Sequence, residues 1–154
     1  MKMTGEERIP ASRDAVWAAL NDPDVLKECI PGCQSLEKTS DNELKAKVGL
    51  KMGPVKATFD GEVTLENIDA PTSYTIRGEG KGGVAGHAKG GADVKLADVP
   101  AEDGPGTETL LTYDVDASVG GKIAQLGSRL IDSTAKKLAG QFFGNLREHF
   151  EAKG

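Results

Sequence analysis

A single apolar stripe near the C-terminus constrains this chain more than any other feature. In residues 121–151, apolar side chains recur at alternating steps of three and four residues, which places them along one face of a helix. The bulky members of the stripe are Ile123, Leu126, Leu130, Ile131, Leu138, Phe142, Phe143, Leu146 and Phe150. A helix of this length extends for about 45 Å. We therefore predict one continuous helix that lies across a broad apolar surface formed by the preceding residues.

The residues before this stripe alternate between apolar and polar side chains, as half-buried strands do. Strands are predicted over residues 44–52, 55–65, 74–78, 93–96 and 111–119. Glycine inside a strand usually marks a bend or a bulge. Gly49, Gly61 and Gly78 therefore predict a curved sheet with one apolar face.

The N-terminal residues predict one strand followed by two short helices. The strand is expected over residues 3–9. Ser12 is suited to cap a helix over Arg13–Leu20. Asp22 followed by Pro23 repeats the signal, a capping side chain and then proline at the first helical position. A second short helix is therefore predicted immediately after the first.

The order of these elements predicts an α+β fold. We expect a curved antiparallel sheet of about seven strands wrapped around the long C-terminal helix, with two short helices after the first strand. The 154 residues are enough for one domain, residues 1–154, with a core of its own. A sheet that grips a helix in this way is expected to leave a space between its apolar face and the helix.

Charge and composition exclude several classes of function. The net charge is -5 and no basic groove is evident, so nucleic acid is not an expected partner. The first residues lack the apolar segment of a signal peptide, and no apolar run approaches the length of a membrane span. A soluble, cytoplasmic protein is predicted.

The cysteines and histidines are too few and too widely spaced for a metal site. Cys29 and Cys33 flank a Pro-Gly turn, whereas His87 and His149 are distant in the sequence. A tetrahedral zinc site or a disulfide framework requires more ligands or more cysteines at paired spacings. We predict two free thiols and no bound metal.

A glycine-rich segment over residues 78–91 has the glycine spacing of a nucleotide-binding motif but not its structural context. Gly78, Gly80 and Gly83 fit the pattern G-x-G-x-x-G. The dinucleotide fingerprint, however, requires a strand before it and a helix after it, and here strands are predicted on both sides. The segment is therefore predicted to form a hairpin or the rim of a cavity.

Several local motifs together carry a family resemblance. The most specific are Ile-Pro-Gly-Cys at residues 30–33 and Gly-Gly-Lys-Ile-Ala-Gln-Leu-Gly at residues 120–127. Val16-Trp17, Asp22-Pro23 and Gly53-Pro54-Val55 support them. Over nearly its whole length the chain resembles the family of carbon monoxide dehydrogenase G-subunits, which belongs to the START-like (SRPBCC), helix-grip superfamily.

The resemblance implies a helix-grip fold with a hydrophobic cavity. It also implies an accessory role beside molybdenum-containing carbon monoxide dehydrogenases and related hydroxylases, in membrane recruitment and quinone handling. Family members often carry a C-terminal linker and a membrane-anchoring tail, whereas this sequence ends at Gly154. Contact with the inner face of the membrane is therefore expected to be peripheral.

The pattern of the strands predicts a binding protein more than an enzyme. Titratable side chains are rare at positions in phase with the interior, so no catalytic acid-base pair is predicted. The predicted ligand-binding residues are Phe59, Tyr74, Ile76, His87, Tyr113, Leu126, Leu130, Leu138 and Phe142. Tyr113 or His87 is expected to donate a hydrogen bond to a ligand carbonyl. The predicted ligand is a quinone or a lipid-like molecule, and no other cofactor is expected.

Two further functions remain open. The first is a docking adaptor without a ligand, which contacts a membrane or partner enzyme through the hairpin tip. Leu50, Lys51, Met52 and Pro54 form that basic and apolar tip. The second is an enzyme of the cyclase or dehydratase kind, which rests on analogy of fold alone.

Overall fold

The computed structural model describes residues 1–102 and 104–153, with side-chain environments up to Glu151. The strands in it are β1 (Lys2–Ile9), β2 (Cys33–Ser40), β3 (Glu43–Met52), β4 (Val55–Asp69), β5 (Ser73–Lys81), β6 (His87–Pro100) and β7 (Thr107–Gly120). The α-helices are α1 (Arg13–Leu20), α2 (Pro23–Cys29) and α3 (Ser128–Lys153). Short 3-10 helices lie at Gly83–Ala85 and Lys122–Leu126.

The strands form one antiparallel sheet in the order β1-β7-β6-β5-β4-β3-β2. From β2 to β7 each strand pairs with the next one in the chain, and β1 pairs with β7. The predicted α+β architecture, a seven-stranded antiparallel sheet with a long C-terminal helix and two short helices after the first strand, is therefore confirmed. In this meander the β3–β4 turn, the β5–β6 turn and the start of α3 all lie at the same end of the sheet.

The two short helices begin at the predicted caps. The Ser12 side chain accepts a hydrogen bond from the backbone N–H of Ala15, at 3.2 Å. The Asp22 side chain accepts one from the N–H of Asp24, at 2.9 Å. Each bond satisfies a donor that the first helical turn leaves without a partner. These local bonds explain why the sequence located both helix starts correctly.

The strands are longer than the alternation alone predicted. β2 was not predicted, because its side chains are mostly exposed and show little periodicity. β6 begins at His87 and continues to Pro100, and it pairs with β5 and β7 along most of that length. β7 begins at Thr107, and Asp103 between the two strands lies outside the described residues.

The prediction of one continuous helix over residues 121–151 is wrong at its beginning. Residues Lys122–Leu126 form a 3-10 helix that ends at Gly127, where φ is 89°. Such a φ is readily adopted by glycine but not by residues with a Cβ atom. The α-helix begins only at Ser128. The apolar spacing continues across the break, which is why the periodicity did not reveal it.

The apolar face of the sheet carries two separate clusters of buried side chains. The first cluster joins the sheet to α1, α2 and the C-terminal half of α3; its members include Ile9, Val16, Leu20, Val25, Leu65, Tyr74, Val94, Leu96, Leu111, Phe143 and Leu146. The second cluster consists of Phe59, Ala85 and Ile123. It lies at the end of the sheet where the β5–β6 turn meets the residues before α3. The candidate site lies between these two clusters.

Candidate ligand-binding site

Two adjoining cavities separate the apolar face of the sheet from α3. The outer chamber has a volume of about 560 Å³, and its walls include Leu50, Met52, Phe59, Val119, Ile131 and Leu138. The inner chamber has a volume of about 320 Å³, and its walls include Leu20, Leu36, Leu44, Leu65, Val94 and Leu111. Both chambers are bounded by Ile30, Val48, Gly61, Val63 and Phe142. Each volume falls within the range of known small-molecule sites.

Glycines on the inner face of the sheet leave the floor of the outer chamber bare. Gly61 of β4 pairs with Gly80 of β5, and both residues line the outer chamber. These inward positions therefore carry no side chain at all. A Cβ atom built at Gly80 would meet no atom within 4 Å. The hollow thus results from the alignment of small residues on neighbouring strands.

Helix α3 is held mainly by its C-terminal half. Leu146 is fully buried in the first cluster. The Asn145 side chain donates a hydrogen bond to the carbonyl oxygen of Cys29 at 2.9 Å, which joins α3 to α2. Arg147 forms an ion pair with Glu7 of β1 at 2.6 Å. The N-terminal half of α3 lies instead over the outer chamber, so the helix covers the sheet there without filling the space below it.

Five of the predicted ligand-binding residues line the chambers. They are Phe59, Tyr74, Ile76, Leu138 and Phe142. Phe59 and Leu138 belong to the outer chamber, Tyr74 and Ile76 belong to the inner one, and Phe142 borders both. Tyr74 is buried and its ring contacts that of Trp17 edge to face, with centroids 5.2 Å apart. Burial raises the pKa of the Tyr74 phenol far above its ordinary value.

The two residues expected to donate a hydrogen bond to the ligand do not line either chamber. His87 is exposed, because the inward positions of β6 are Ala88, Gly90 and the even-numbered residues that follow. The sequence pattern indicated that the His87 side chain faces the interior, and the structure corrects this. Tyr113 points inward but packs in the core, where its ring stacks on Phe143 with centroids 5.4 Å apart. Burial first, and the nearby Glu7 carboxylate second, raise the pKa of the Tyr113 phenol.

Leu126 and Leu130 also lie outside the chamber walls. Leu126 falls in the 3-10 helix before α3 and packs against the second cluster. Leu130 lies close to the β3–β4 turn, where its Cδ2 atom is 2.9 Å from the position that a Cβ atom would take at Gly53. Both placements follow from the break at Gly127, which shifts the start of the α-helix. Leu130 therefore contacts the hairpin tip and not the cavity.

The four residues predicted to form a contact tip are divided between two environments. Leu50 and Met52 point inward and line the outer chamber. Lys51 and Pro54 are exposed at the turn. The tip itself therefore presents less apolar surface than the sequence indicated. None of the helices in the described part of the chain is long and apolar enough to cross a membrane.

Several wall residues were not singled out from the sequence. Ile30 and Pro31 follow α2, and Thr134, Ala135 and Ala139 lie on α3. The three α3 residues share a helix face with Leu138 at helical spacing, so the apolar stripe contained the signal that identifies them. Nothing in the local sequence indicated that Ile30 and Pro31 reach the cavity, because α2 is placed by long-range contacts.

The cysteines are free, as predicted. Burial first, and the neighbouring Glu28 carboxylate second, raise the pKa of the Cys29 thiol to about 11. Burial also raises the pKa of Cys33, against smaller opposing effects of Lys27 and a backbone hydrogen bond. Such thiols are mostly protonated near neutral pH and are therefore weak nucleophiles and weak metal ligands. Within residues 1–102 and 104–153, no group of three His, Cys, Asp or Glu side chains is arranged to hold a metal ion.

Comparison with solved structures identifies the fold. A conserved protein from Geobacillus kaustophilus is 30% identical and superposes with a TM-score of 0.88, covering 99% of this chain and 96% of that one. A START superfamily protein from Mycobacterium smegmatis is 14% identical, with a TM-score of 0.71 and 99% of both chains covered. The ZhuI aromatase/cyclase from Streptomyces sp. R1128 is 13% identical, with a TM-score of 0.63 over 98% of this chain and 93% of that one. The fold is therefore the START-like, helix-grip fold.

A search of curated proteins finds no match. Comparison with protein families, in contrast, gives a match over almost the whole chain. The family model for the carbon monoxide dehydrogenase G-subunit (CoxG) matches residues 5–151. This span includes both chambers' walls except Met1, which borders the outer chamber. The chain therefore belongs to the CoxG family of carbon monoxide dehydrogenase subunits, with a helix-grip fold that encloses an apolar hollow.

Proposed function

We propose that this protein is a non-catalytic carrier of a hydrophobic small molecule, a quinone or a lipid-like compound, held between the sheet and α3. The observation that carries the proposal is the pair of adjoining apolar chambers beneath α3, of about 560 and 320 Å³. Burial of apolar ligand surface in such a space contributes about 25 cal/mol per Å². A ligand that fills both chambers gains most of its affinity from this term.

The chamber walls favour binding over catalysis. Among the described residues, Glu79 is the only wall residue with a charged side chain; it is exposed and lies 3.7 Å from the Lys81 ammonium group. Thr134 of α3 contributes a hydroxyl group to the outer chamber. General acid-base chemistry requires paired titratable groups within hydrogen-bond reach of the substrate. This lining supports a carrier and gives no support to a cyclase-like or dehydratase-like reaction.

The substitution Gly80→Leu tests whether the outer chamber holds the ligand. The new side chain has open space in front of it and enters the chamber. It occupies volume that the ligand otherwise fills, so we expect binding of a decyl-substituted benzoquinone to weaken by about 10- to 100-fold. The measurement is a titration of the purified protein followed by native mass spectrometry.

Lys81→Leu is the matched control for this experiment. It introduces leucine at the next residue of β5, but on the exposed outer face. Unchanged binding is expected, together with a thermal unfolding transition close to that of the original protein. Equal quinone binding by the Gly80→Leu variant and the original protein would count against the cavity as the binding site.

Membership of the CoxG family supports the further proposal that the carrier serves a molybdenum carbon monoxide dehydrogenase-type enzyme at a membrane. The β3–β4 and β5–β6 turns lie at the end of the sheet where the outer chamber is found. Lys51 and Lys81 are exposed near them, and Val84 between β5 and β6 is 95% exposed. Lysines attract an anionic lipid surface, and an exposed valine gains by entering it. We propose that this end contacts the membrane.

The substitution Val84→Asp tests the proposed contact. It removes the apolar side chain from the turn and adds a negative charge, so we expect about tenfold weaker sedimentation with vesicles that contain phosphatidylglycerol. Ile68→Asp is the control, because Ile68 is also exposed but lies at the opposite end of the sheet, near the end of β4. Equal loss in both variants would contradict a specific membrane-facing end.

A further inference from the structure

The two chambers differ in how far their walls are shielded from solvent. The inner chamber is bounded by the first cluster, in which Leu65, Val94 and Leu111 are each less than 8% exposed. Apart from the buried Phe59 and Ile123, the outer chamber is bounded by half-buried or exposed residues such as Met1 and Met52. Phe142 and Ile30 stand where the two chambers join. The inner chamber is therefore the more enclosed of the two, and these shared wall residues join it to the outer one.

The walls of both chambers are almost wholly apolar, and the chambers differ in the polar groups that lie within reach. The wall surface of the inner chamber is wholly apolar, since its one hydroxyl-bearing residue, Tyr74, presents only carbon atoms to it. The backbone groups of β3 to β6 that pass behind it are used in strand pairing. The outer chamber is nearly as apolar, but it includes Thr134 and lies at the end of the sheet that carries the turns and their exposed lysines. Polar groups of a ligand thus find protein partners and water more readily on the outer side.

This difference determines which part of an amphiphile each chamber favours. A carbonyl or hydroxyl group placed in the inner chamber would lose its hydrogen bonds to water without gaining others. Such a loss weakens binding on the order of 30-fold or more. An apolar chain in the same place gains about fourfold in affinity for each methylene group that it buries. The chamber therefore selects chains and rejects polar heads.

We propose that the ligand binds chain first, with its apolar chain in the inner chamber and its polar head in the outer chamber near Thr134. This inference rests on the proposed carrier function and adds the ligand class. The ligand is an amphiphile with one long chain, and the volume of the inner chamber limits the length of chain that it can bury. It also places the head group at the end of the sheet that carries Val84 and the exposed lysines, where a membrane or a partner can reach it.

A chain-length series tests this orientation. Normal alkanols and prenyl alcohols of increasing length are titrated against the protein, in competition with a fluorescent apolar probe. We expect affinity to rise by about fourfold per methylene until the inner chamber is full, and then to level off. A rise in either series supports the orientation, and the tighter series identifies a linear or a branched chain as the better fit.

The same substitution in each chamber provides matched variants. Of the two chambers, Ala46 borders only the inner one, and Ala135 borders only the outer one. In the Ala46→Leu variant, affinity is expected to level off at a chain that is roughly three methylenes shorter, because leucine adds about that volume to the chamber wall. Short alcohols are expected to bind it as they bind the original protein. Ala135→Leu is expected to weaken alcohols of every length. Thermal unfolding checks that both variants are folded.

The outcomes separate this inference from the carrier function. If 2,3-dimethoxy-5-methyl-benzoquinone, which has no chain, binds as tightly as long-chain alcohols and Ala46→Leu abolishes its binding, the head occupies the inner chamber. The orientation is then wrong, while the carrier function stands. If no alcohol and no quinone binds the original protein, the carrier function itself fails.

Discussion

Leu146→Ala is expected to lower the free energy of unfolding by about 2–5 kcal/mol. Leu146 is fully buried where α3 meets the first cluster, so truncation leaves a cavity among packed side chains. The lost contacts also loosen the half of α3 that anchors the helix to α2 and β1. Urea unfolding followed by circular dichroism measures the change. A loss below about 1 kcal/mol would contradict tight packing at this position.

Leu138→Ala is the matched control, since it makes the same change two turns earlier on the same helix. Leu138 is half buried and faces the outer chamber. A side chain beside an empty space lacks contact atoms on one side, so its removal is expected to cost about 1 kcal/mol or less. Equal losses for the two variants would indicate that the chamber is filled by collapse in solution, which would remove the basis of the carrier proposal.

Gly86→Ala is expected to destabilise the protein by at least about 2 kcal/mol. Gly86 has a φ of 115°, which residues with a Cβ atom rarely adopt. A Cβ atom there would also overlap the carbonyl oxygen of Gly120, because the two backbones pack directly against each other. Displacement of Gly120 disturbs the chain just before the 3-10 helix that leads to α3. Urea unfolding again measures the loss.

Gly83→Ala separates backbone strain from steric overlap. Gly83 lies in the same turn with a φ of 60°, and a Cβ atom there would meet no atom within 4 Å. Only the cost of the left-handed conformation remains, which is about 1 kcal/mol. If both variants lost the same stability, the close approach of Gly86 and Gly120 would not matter, and φ alone would explain the effect.

Local patterns identified the elements correctly where the controlling interaction is local. The Ser12 and Asp22 caps satisfy donors within a few residues of themselves, so both short helices begin where the sequence indicated. Alternation identified β3 and β4, because each has one face toward the core. β2 escaped detection because its side chains are mostly exposed on both faces. Its position depends on pairing with β3, which no local pattern records.

The sequence indicated an apolar site between the sheet and the helix, but it identified only some of the residues that line the chambers. Phe59, Leu138 and Phe142 line the chambers because they follow the inward phase of a strand or the stripe of the helix. His87 does not line them, because pairing with β7 decides which residues of β6 face the interior, and the glycine-rich residues before β6 do not. Leu126 and Leu130 do not line them, because Gly127 ends the 3-10 helix and the α-helix begins after it.

The sequence by itself determined the α+β class, the long terminal helix, the two capped helices and the family, since these depend on short-range periodicity and local motifs. The tertiary structure decided that a hollow exists and where it lies. The inner face of the sheet is bare beneath the helix where Gly61 is paired with Gly80. The roof of the hollow is raised because α3 is anchored at Asn145 and Arg147, near one end. Register and anchoring join residues far apart in the chain, so no local pattern determines them.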